Sequence, residues 1–259
     1  MVASGNDFVV LGGHPPRNPS SLARTMCERK SGVGADGLLL LQKAKKADIG
    51  MRIFNPDGSE AEMCGNGARC AVFWARHQGG IKKAAVELQT KAGIIDSRIA
   101  RDKVKIRLTD PRNLKLDFAI KVNRRKLFLS FINTGVPHAV IFTDGVDNID
   151  VINLGRQLRY HKAFSPAGTN ADFVEVLNAD SIRIRTYERG VEDETLACGT
   201  GSVAAALIFA LKGNLDGIVK VHTKSSEVLK VYFTREGCTF KNVWLEGRAR
   251  VVYQGVYYV

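Results

Sequence analysis

One short pattern occurs twice in this chain, and it limits what the chain can fold into. Glu62-Met63-Cys64-Gly65-Asn66-Gly67-Ala68-Arg69-Cys70 lies in the first half, and Ala197-Cys198-Gly199-Thr200-Gly201-Ser202-Val203 in the second. In each, a cysteine is followed by Gly-x-Gly and then by a run of small and apolar residues, AVFWARHQGG or AAALIFALKG. Each run reads as a short buried helix closed by a glycine, Gly79 or Gly213, a common helix stop. An acidic approach precedes both, Glu60-Ala61-Glu62 in one half and VEDET in the other. The repetition implies a tandem duplication, with two matching helices facing across a pseudo-twofold cleft.

The rest of the chain fits two similar halves. Strands are expected over residues 5–11, 38–42 and 48–54, with a helix capped by Ser20 or Ser21 and running to Arg29. Asn55-Pro56-Asp57-Gly58-Ser59 is a strong turn. Residues 84–108 alternate polar and apolar side chains and read as an antiparallel meander. Asp110-Pro111-Arg112-Asn113 breaks that pattern and is the candidate domain boundary. Beyond it, strands are expected at 126–132, 138–143, 171–177, 181–187, 218–222, 226–233 and 241–246, with a helix near 151–161. The last stretch, RVVYQGVYYV, is strand-like. The expected fold class is therefore α/β (α+β), with domains at 1–112 and 113–248 and a tail at 249–259 returning to the first.

Composition narrows the function. Of 259 residues, 45% are hydrophobic, enough for a real core, yet no apolar run approaches the roughly 20 residues that span a bilayer. MVASGNDFVV has no basic region followed by a long apolar stretch, so a cytoplasmic protein without a membrane partner is expected. The net charge of +12 invites a nucleic-acid partner. The positive residues are scattered, however, and no nucleic-acid motif accompanies them. A positive field also steers anionic small substrates, and that reading is preferred. Five cysteines with no Cys-x-x-Cys pair argue against a structural zinc site, so no metal is expected. Cys27, Cys70 and Cys238 read as core residues.

Cys64 and Cys198 are different because of where they stand. A helix N-terminus carries unpaired N–H groups and about half a positive charge. It lowers a thiol's pKa toward neutrality and offers an anion site for a carboxylate. Two such sites around one carboxylate suit a single reaction, inversion of the neighbouring stereocentre. One thiolate removes the α-proton, the other thiol delivers a proton to the opposite face, and the N–H groups stabilise the charge that develops. No cofactor is needed. A redox disulfide between the two thiols is the alternative the same residues leave open.

At these residues the chain resembles the diaminopimelate epimerase family. The likeness runs through GNDFVV, SGVGADGLLLL, FNPDGSEAEMCGNGARC, NTGVPHAV, GTNADFVEV and YERGVEDETLACGTGS, nearly the whole chain. It implies two similar domains, each a strand-rich sheet or barrel-like layer round a central helix, with the active site between them. It implies cofactor-independent, pyridoxal-independent interconversion of LL- and meso-2,6-diaminopimelate, a step toward lysine and peptidoglycan. By position, Cys64 and Cys198 are the proton-transfer pair, and Gly65, Asn66, Gly199 and Thr200 bind the reacting carboxylate. Asn6, Asn55, Asn170, Glu188 and Arg189 fall at substrate-binding positions. His138 and Glu188 fall where the family tunes the thiol pKa values. The oligomeric state is left open, a homodimer being one option.

The chain departs from the family pattern in three places. It starts only a few residues before GNDF, and it has Gly37 and Val136 where relatives often carry Gln and Asn. The nearest rival is a proline or hydroxyproline racemase, which typically has His where Asn66 stands. A phenazine-type isomerase would lack the cysteine pair, and a non-enzymatic basic binding protein would not need it.

Overall fold

The computed structural model describes residues 1–258. The chain divides into two compact units, Met1–Arg107 with the chain from Gly247 onward, and Leu108–Glu246. In the first, β1 (Val2–Ala3) and β2 (Asn6–Gly12) form a hairpin, and α1 (Pro19–Cys27) crosses over to β3 (Gly37–Gln42). Then come β4 (Ile49–Phe54), β5 (Glu60–Ala61), α2 (Gly65–His77), β6 (Ala85–Thr90), β7 (Gly93–Ala100) and β8 (Lys103–Arg107). β2 and β3 are parallel, joined by the helical crossover that parallel pairing requires. β4 is antiparallel to β3 and β5 and parallel to β6, and β6, β7 and β8 form the expected meander.

The second unit begins with a hairpin of β9 (Arg112–Val122) and β10 (Arg125–Asn133). From there it repeats the plan: β11 (Pro137–Phe142), α3 (Val151–Arg159), β12 (Asn170–Asn178), β13 (Ser181–Glu188), β14 (Asp193–Thr195), α4 (Gly199–Lys212), β15 (Gly217–His222), β16 (Val228–Glu236) and β17 (Thr239–Arg248). β10 is antiparallel to β11 as β1 is to β2. β11 and β12 are parallel, β13 is antiparallel to β12 and β14 and parallel to β15, and β15 to β17 form a meander. Strand for strand, the pairing of β11 to β17 matches that of β2 to β8. The fold is mixed α and β, strand-rich, and built as a duplication.

Each duplicated half wraps its strands round one helix. α2 touches β1 to β4 and β6 to β8, and α4 touches β10 to β13 with β15 and β16. α4 is buried without a break from Gly201 to Ala210. A helix apolar on all sides is one enclosed by its own domain. The duplication also preserves an ion pair. Phe54 pairs with Glu60 across β4–β5 as Tyr187 pairs with Glu194 across β13–β14. Two residues earlier on each strand, Arg52 donates two hydrogen bonds to Glu60 (2.8 and 3.0 Å), and Arg185 donates two to Glu194 (2.6 and 2.9 Å). The two-pronged guanidinium fixes the short acidic strand that leads into each central helix.

Several sequence expectations need correction. The acidic VEDET segment is not all loop, because Asp193–Thr195 forms β14. β9 was not anticipated: its burial is irregular and most of its residues face solvent, so it has no clean alternation. α1 is capped by Asn18, whose Oδ1 accepts the Ser21 N–H at 3.0 Å. Pro19 occupies its first turn, where a missing N–H costs nothing, so Ser20 and Ser21 lie inside the helix. The strand-like tail forms only an isolated bridge, Arg250 to Val2; Val259 lies outside the described residues. Cys27 and Cys70 are buried, whereas Cys238 is exposed. It sits with Gly237 in the tight turn between β16 and β17, where Glu236 pairs with Thr239. Cys238→Ser is therefore expected to change unfolding free energy by less than about 0.5 kcal/mol, checked by urea denaturation. No helix among the described residues is long and apolar enough to cross a membrane.

Candidate active site

Cys64 and Cys198 hold the same position in their units. Both are extended residues immediately before a helix, with φ/ψ of −139°/123° and −109°/114°. The carbonyl of each already accepts the first intrahelical bond, from Ala68 N at 2.8 Å and Ser202 N at 2.9 Å. Both are thus N-cap residues. The N–H groups of Gly65 and Asn66, and of Gly199 and Thr200, open their helices with no carbonyl one turn back to receive them.

In the first unit, a line of side chains fixes Asn66 and Asn6. Asp36 accepts from Asn6 Nδ2 at 2.9 Å, and Asn6 Oδ1 accepts from Asn66 Nδ2 at 2.6 Å. Asn66 Oδ1 in turn accepts from Arg69 Nη2 at 2.7 Å, and that nitrogen also donates to Ser4 Oγ at 2.5 Å. A carboxylate that only accepts stands at one end, and a guanidinium that only donates at the other. Between them each amide has one permitted orientation. Arg29 anchors the acidic end by donating to both Asp7 and Asp36. Asn55 follows β4 directly. It closes the β4–β5 turn, donating from Nδ2 to Ser59 Oγ at 2.9 Å.

In the second unit, the expected residues converge more tightly. His138 on β11 is fully buried. Its Nδ1 lies 2.7 Å from Asp172 Oδ2 and its Nε2 lies 3.0 Å from Thr200 Oγ1. Thr200 Oγ1 is 3.4 Å from Cys198 Sγ, which also accepts the Gly201 N–H at 3.4 Å. Asp172 takes a second bond, from Thr186 Oγ1 at 2.8 Å. Glu188, at the end of β13, accepts from Thr195 Oγ1 at 2.9 Å. Asn170 is buried at the start of β12, accepting the Arg189 N–H at 2.7 Å and donating to Pro137 O at 2.9 Å. Arg189 itself reaches back to Ala167 O at 3.0 Å.

Burial opposes the pull of the helix end on Cys198. Desolvation pushes the Cys198 thiol well above the usual cysteine value, with the Glu188 and Asp172 carboxylates adding to it. The Thr200 hydroxyl and the Gly201 N–H pull the other way without winning. Burial likewise pushes Glu188 up, the Thr195 hydroxyl pulling it part of the way back. At Cys198 burial therefore works against the helix end and favours the thiol over the thiolate.

Sequence reasoning missed Asp172 and the side-chain role of Thr200. Asp172 had a signal: in GTNADFVEV a charged residue stands inside an apolar strand, where it must be partnered. Gly201, read only as part of a motif, has a steric reason. A Cβ there would lie 2.5 Å from Asp172 Oδ1 and 3.3 Å from His138 Cε1.

Comparison with known proteins adds the context. The family model described as diaminopimelate epimerase matches residues 1–114 and 130–251. A diaminopimelate epimerase of Aquifex aeolicus is 42% identical over 270 residues, covering 98% of this chain and 95% of its own. One from Chlorobaculum tepidum is 39% identical over 261 residues, covering 98% of both. Among solved structures, a Bacillus anthracis phenazine biosynthesis protein of the PhzF family superposes with a TM-score of 0.73 at 18% identity, over 95% of this chain and 91% of its own. A hydroxyproline epimerase from Agrobacterium vitis superposes with a TM-score of 0.70 at 17% identity, over 95% and 87%. Those two likenesses are of fold.

Proposed function

The chain belongs to the diaminopimelate epimerase family, and we propose that it interconverts LL- and meso-2,6-diaminopimelate by passing the α-proton between Cys64 and Cys198. It is an isomerase, and its reaction lies on the route to lysine. The observation that carries the mechanism is that both cysteines cap the N-terminus of a central helix in a duplicated unit. A carboxylate bound by the N–H groups of Gly65, Asn66, Gly199 and Thr200 holds the α-carbon next to a thiol. As the α-proton leaves, charge moves into the carboxylate, where N–H groups that bind it would stabilise that charge. A proton returned by the second thiol to the opposite face inverts the centre.

Arg189, Asn170, Asn6 and Asn55 recognise the distal amino-acid end. A guanidinium fork suits a carboxylate, and carboxamides can both donate and accept. Asn6 and Asn170 are held by their neighbours with one orientation each, which suits pre-organised recognition. Glu188 and His138 adjust the ionisation of the thiols. A cytoplasmic setting, which keeps thiols reduced, is compatible with this chemistry.

The test is incubation with LL-diaminopimelate in deuterated water. The meso form is expected to appear with deuterium at the inverted α-carbon, read by NMR and mass spectrometry. Exchange into proline with none into diaminopimelate would refute the substrate while sparing the two-thiol chemistry.

A further inference from the structure

We propose that the Thr200 hydroxyl is a two-way proton conduit between the Cys198 thiol and the His138 imidazole, with Asp172 setting which ring nitrogen receives the proton. The inference deepens the reading of Cys198 as an acid and base, and it rests on that reading for its purpose. Its geometry stands within one unit.

The hydrogen positions follow from the partners. Asp172 is fully buried and uses one oxygen to accept from Thr186 and the other to face His138 Nδ1. An ionised carboxylate only accepts, so Nδ1 carries hydrogen, and in the neutral ring Nε2 is a bare acceptor. Thr200 Oγ1, at 3.0 Å, then donates to Nε2, which leaves its lone pairs toward the Cys198 S–H at 3.4 Å. When the thiol ionises, its proton passes to Thr200 Oγ1, and the hydroxyl's own hydrogen passes to Nε2. The products are a thiolate receiving the Thr200 O–H and the Gly201 N–H, and an imidazolium resting on Asp172. No atom is gained or lost, and the same heavy-atom positions serve both states. A hydroxyl can reverse in this way because it donates and accepts through one oxygen; a backbone N–H cannot.

The reversal answers a need of the site. Burial and the facing carboxylates of Glu188 and Asp172 favour the thiol of Cys198. A group that must be acid in one direction of an epimerisation and base in the other requires somewhere to put its proton. The matching positions of the first unit carry different side chains. Asn66 is second in α2 as Thr200 is second in α4, and Phe8 opens the β2–β3 pairing as His138 opens that of β11–β12. Asn66 is committed to Asn6 and Arg69. The Thr–His line is therefore not repeated at the matching positions of α2 and β2.

The test needs no substrate, so its failure is separable from failure of the substrate assignment. Iodoacetamide alkylation of Cys198 is followed by peptide-resolved mass spectrometry against pH, with exposed Cys238 as internal standard. Thr200→Val, which keeps the backbone N–H, is expected to raise the Cys198 midpoint by about one pH unit, a roughly tenfold slower reaction at fixed pH below it. Thr200→Ser is expected to restore the parent profile. Coincident profiles for parent, valine and serine proteins would overturn the proposal. Should the valine variant not fold, nitrogen-15 NMR of the parent decides. A neutral His138 ring protonated at Nδ1 and bare at Nε2 supports the conduit, and the opposite tautomer excludes it.

Discussion

Replacing either Cys64 or Cys198 with serine is expected to slow interconversion of the diaminopimelate isomers by about 10²–10⁴-fold. A serine hydroxyl keeps nearly the shape of the thiol but ionises far above any working pH, so the loss is chemical rather than steric. The two variants should differ in a telling way. The remaining thiolate can still take the α-proton from the face it addresses and return a solvent deuteron to that same face. One variant should therefore retain exchange without inversion for the LL isomer, and the other for the meso isomer. Initial rates of inversion and of deuterium uptake, measured separately for each isomer, check both parts. If either serine variant inverts its substrate within threefold of the parent rate, proton transfer by the cysteine pair is wrong. Removing both cysteines should cost little more than removing one, because two groups that act as a unit are not additive.

The parts of this architecture legible in the sequence were those set by local pattern. The two central helices are marked by small apolar runs after Cys-Gly-x-Gly, and β3 by the unbroken Leu38 to Leu41 run, all buried. The meander at 84–108 shows through because one face of each strand is buried and the other wet. What remained hidden depends on which segments meet. Arg52 and Arg185 look like ordinary strand charges until Glu60 and Glu194 are brought opposite them. Nothing in the sequence marks Arg69 as buried, yet it is fully enclosed beside Ser4 and Asn66. Cys238 follows the base rate for cysteine on paper and breaks it in a two-residue turn. The pull of burial on the Cys198 thiol was hidden for the same reason. A helix start is visible in sequence, but the depth at which it is buried is not.

Gly201→Ala is expected to disable the second unit's site and lower stability, while Gly67→Ala, at the matching place in the other helix, is tolerated. The two glycines are equivalent by motif and differ by neighbour. A Cβ on Gly201 would stand 2.5 Å from Asp172 Oδ1, an atom fixed by the Thr186 hydroxyl, with the second carboxylate oxygen held by His138. Neither the buried strand nor the carboxylate has room to retreat, so α4 must shift or the Asp172 bonds must break. Overpacking costs about 1–3 kcal/mol, and a buried polar group left unsatisfied about 1–3 kcal/mol more. A Cβ on Gly67 instead meets Leu39 Cδ2 at 3.2 Å and Ile53 Cδ1 at 3.4 Å, the far ends of side chains that can yield by tenths of an ångström. Alanine also favours helix over glycine by up to about 1 kcal/mol, which offsets that crowding. Urea unfolding should thus place Gly201→Ala at least about 2 kcal/mol below the parent and Gly67→Ala within about 1 kcal/mol of it. Turnover should fall at least tenfold for the first, since the His138–Thr200–Cys198 line is displaced with Asp172. Equal losses in the two variants would mean that the second glycine of each motif serves the helix backbone rather than the Asp172 contact.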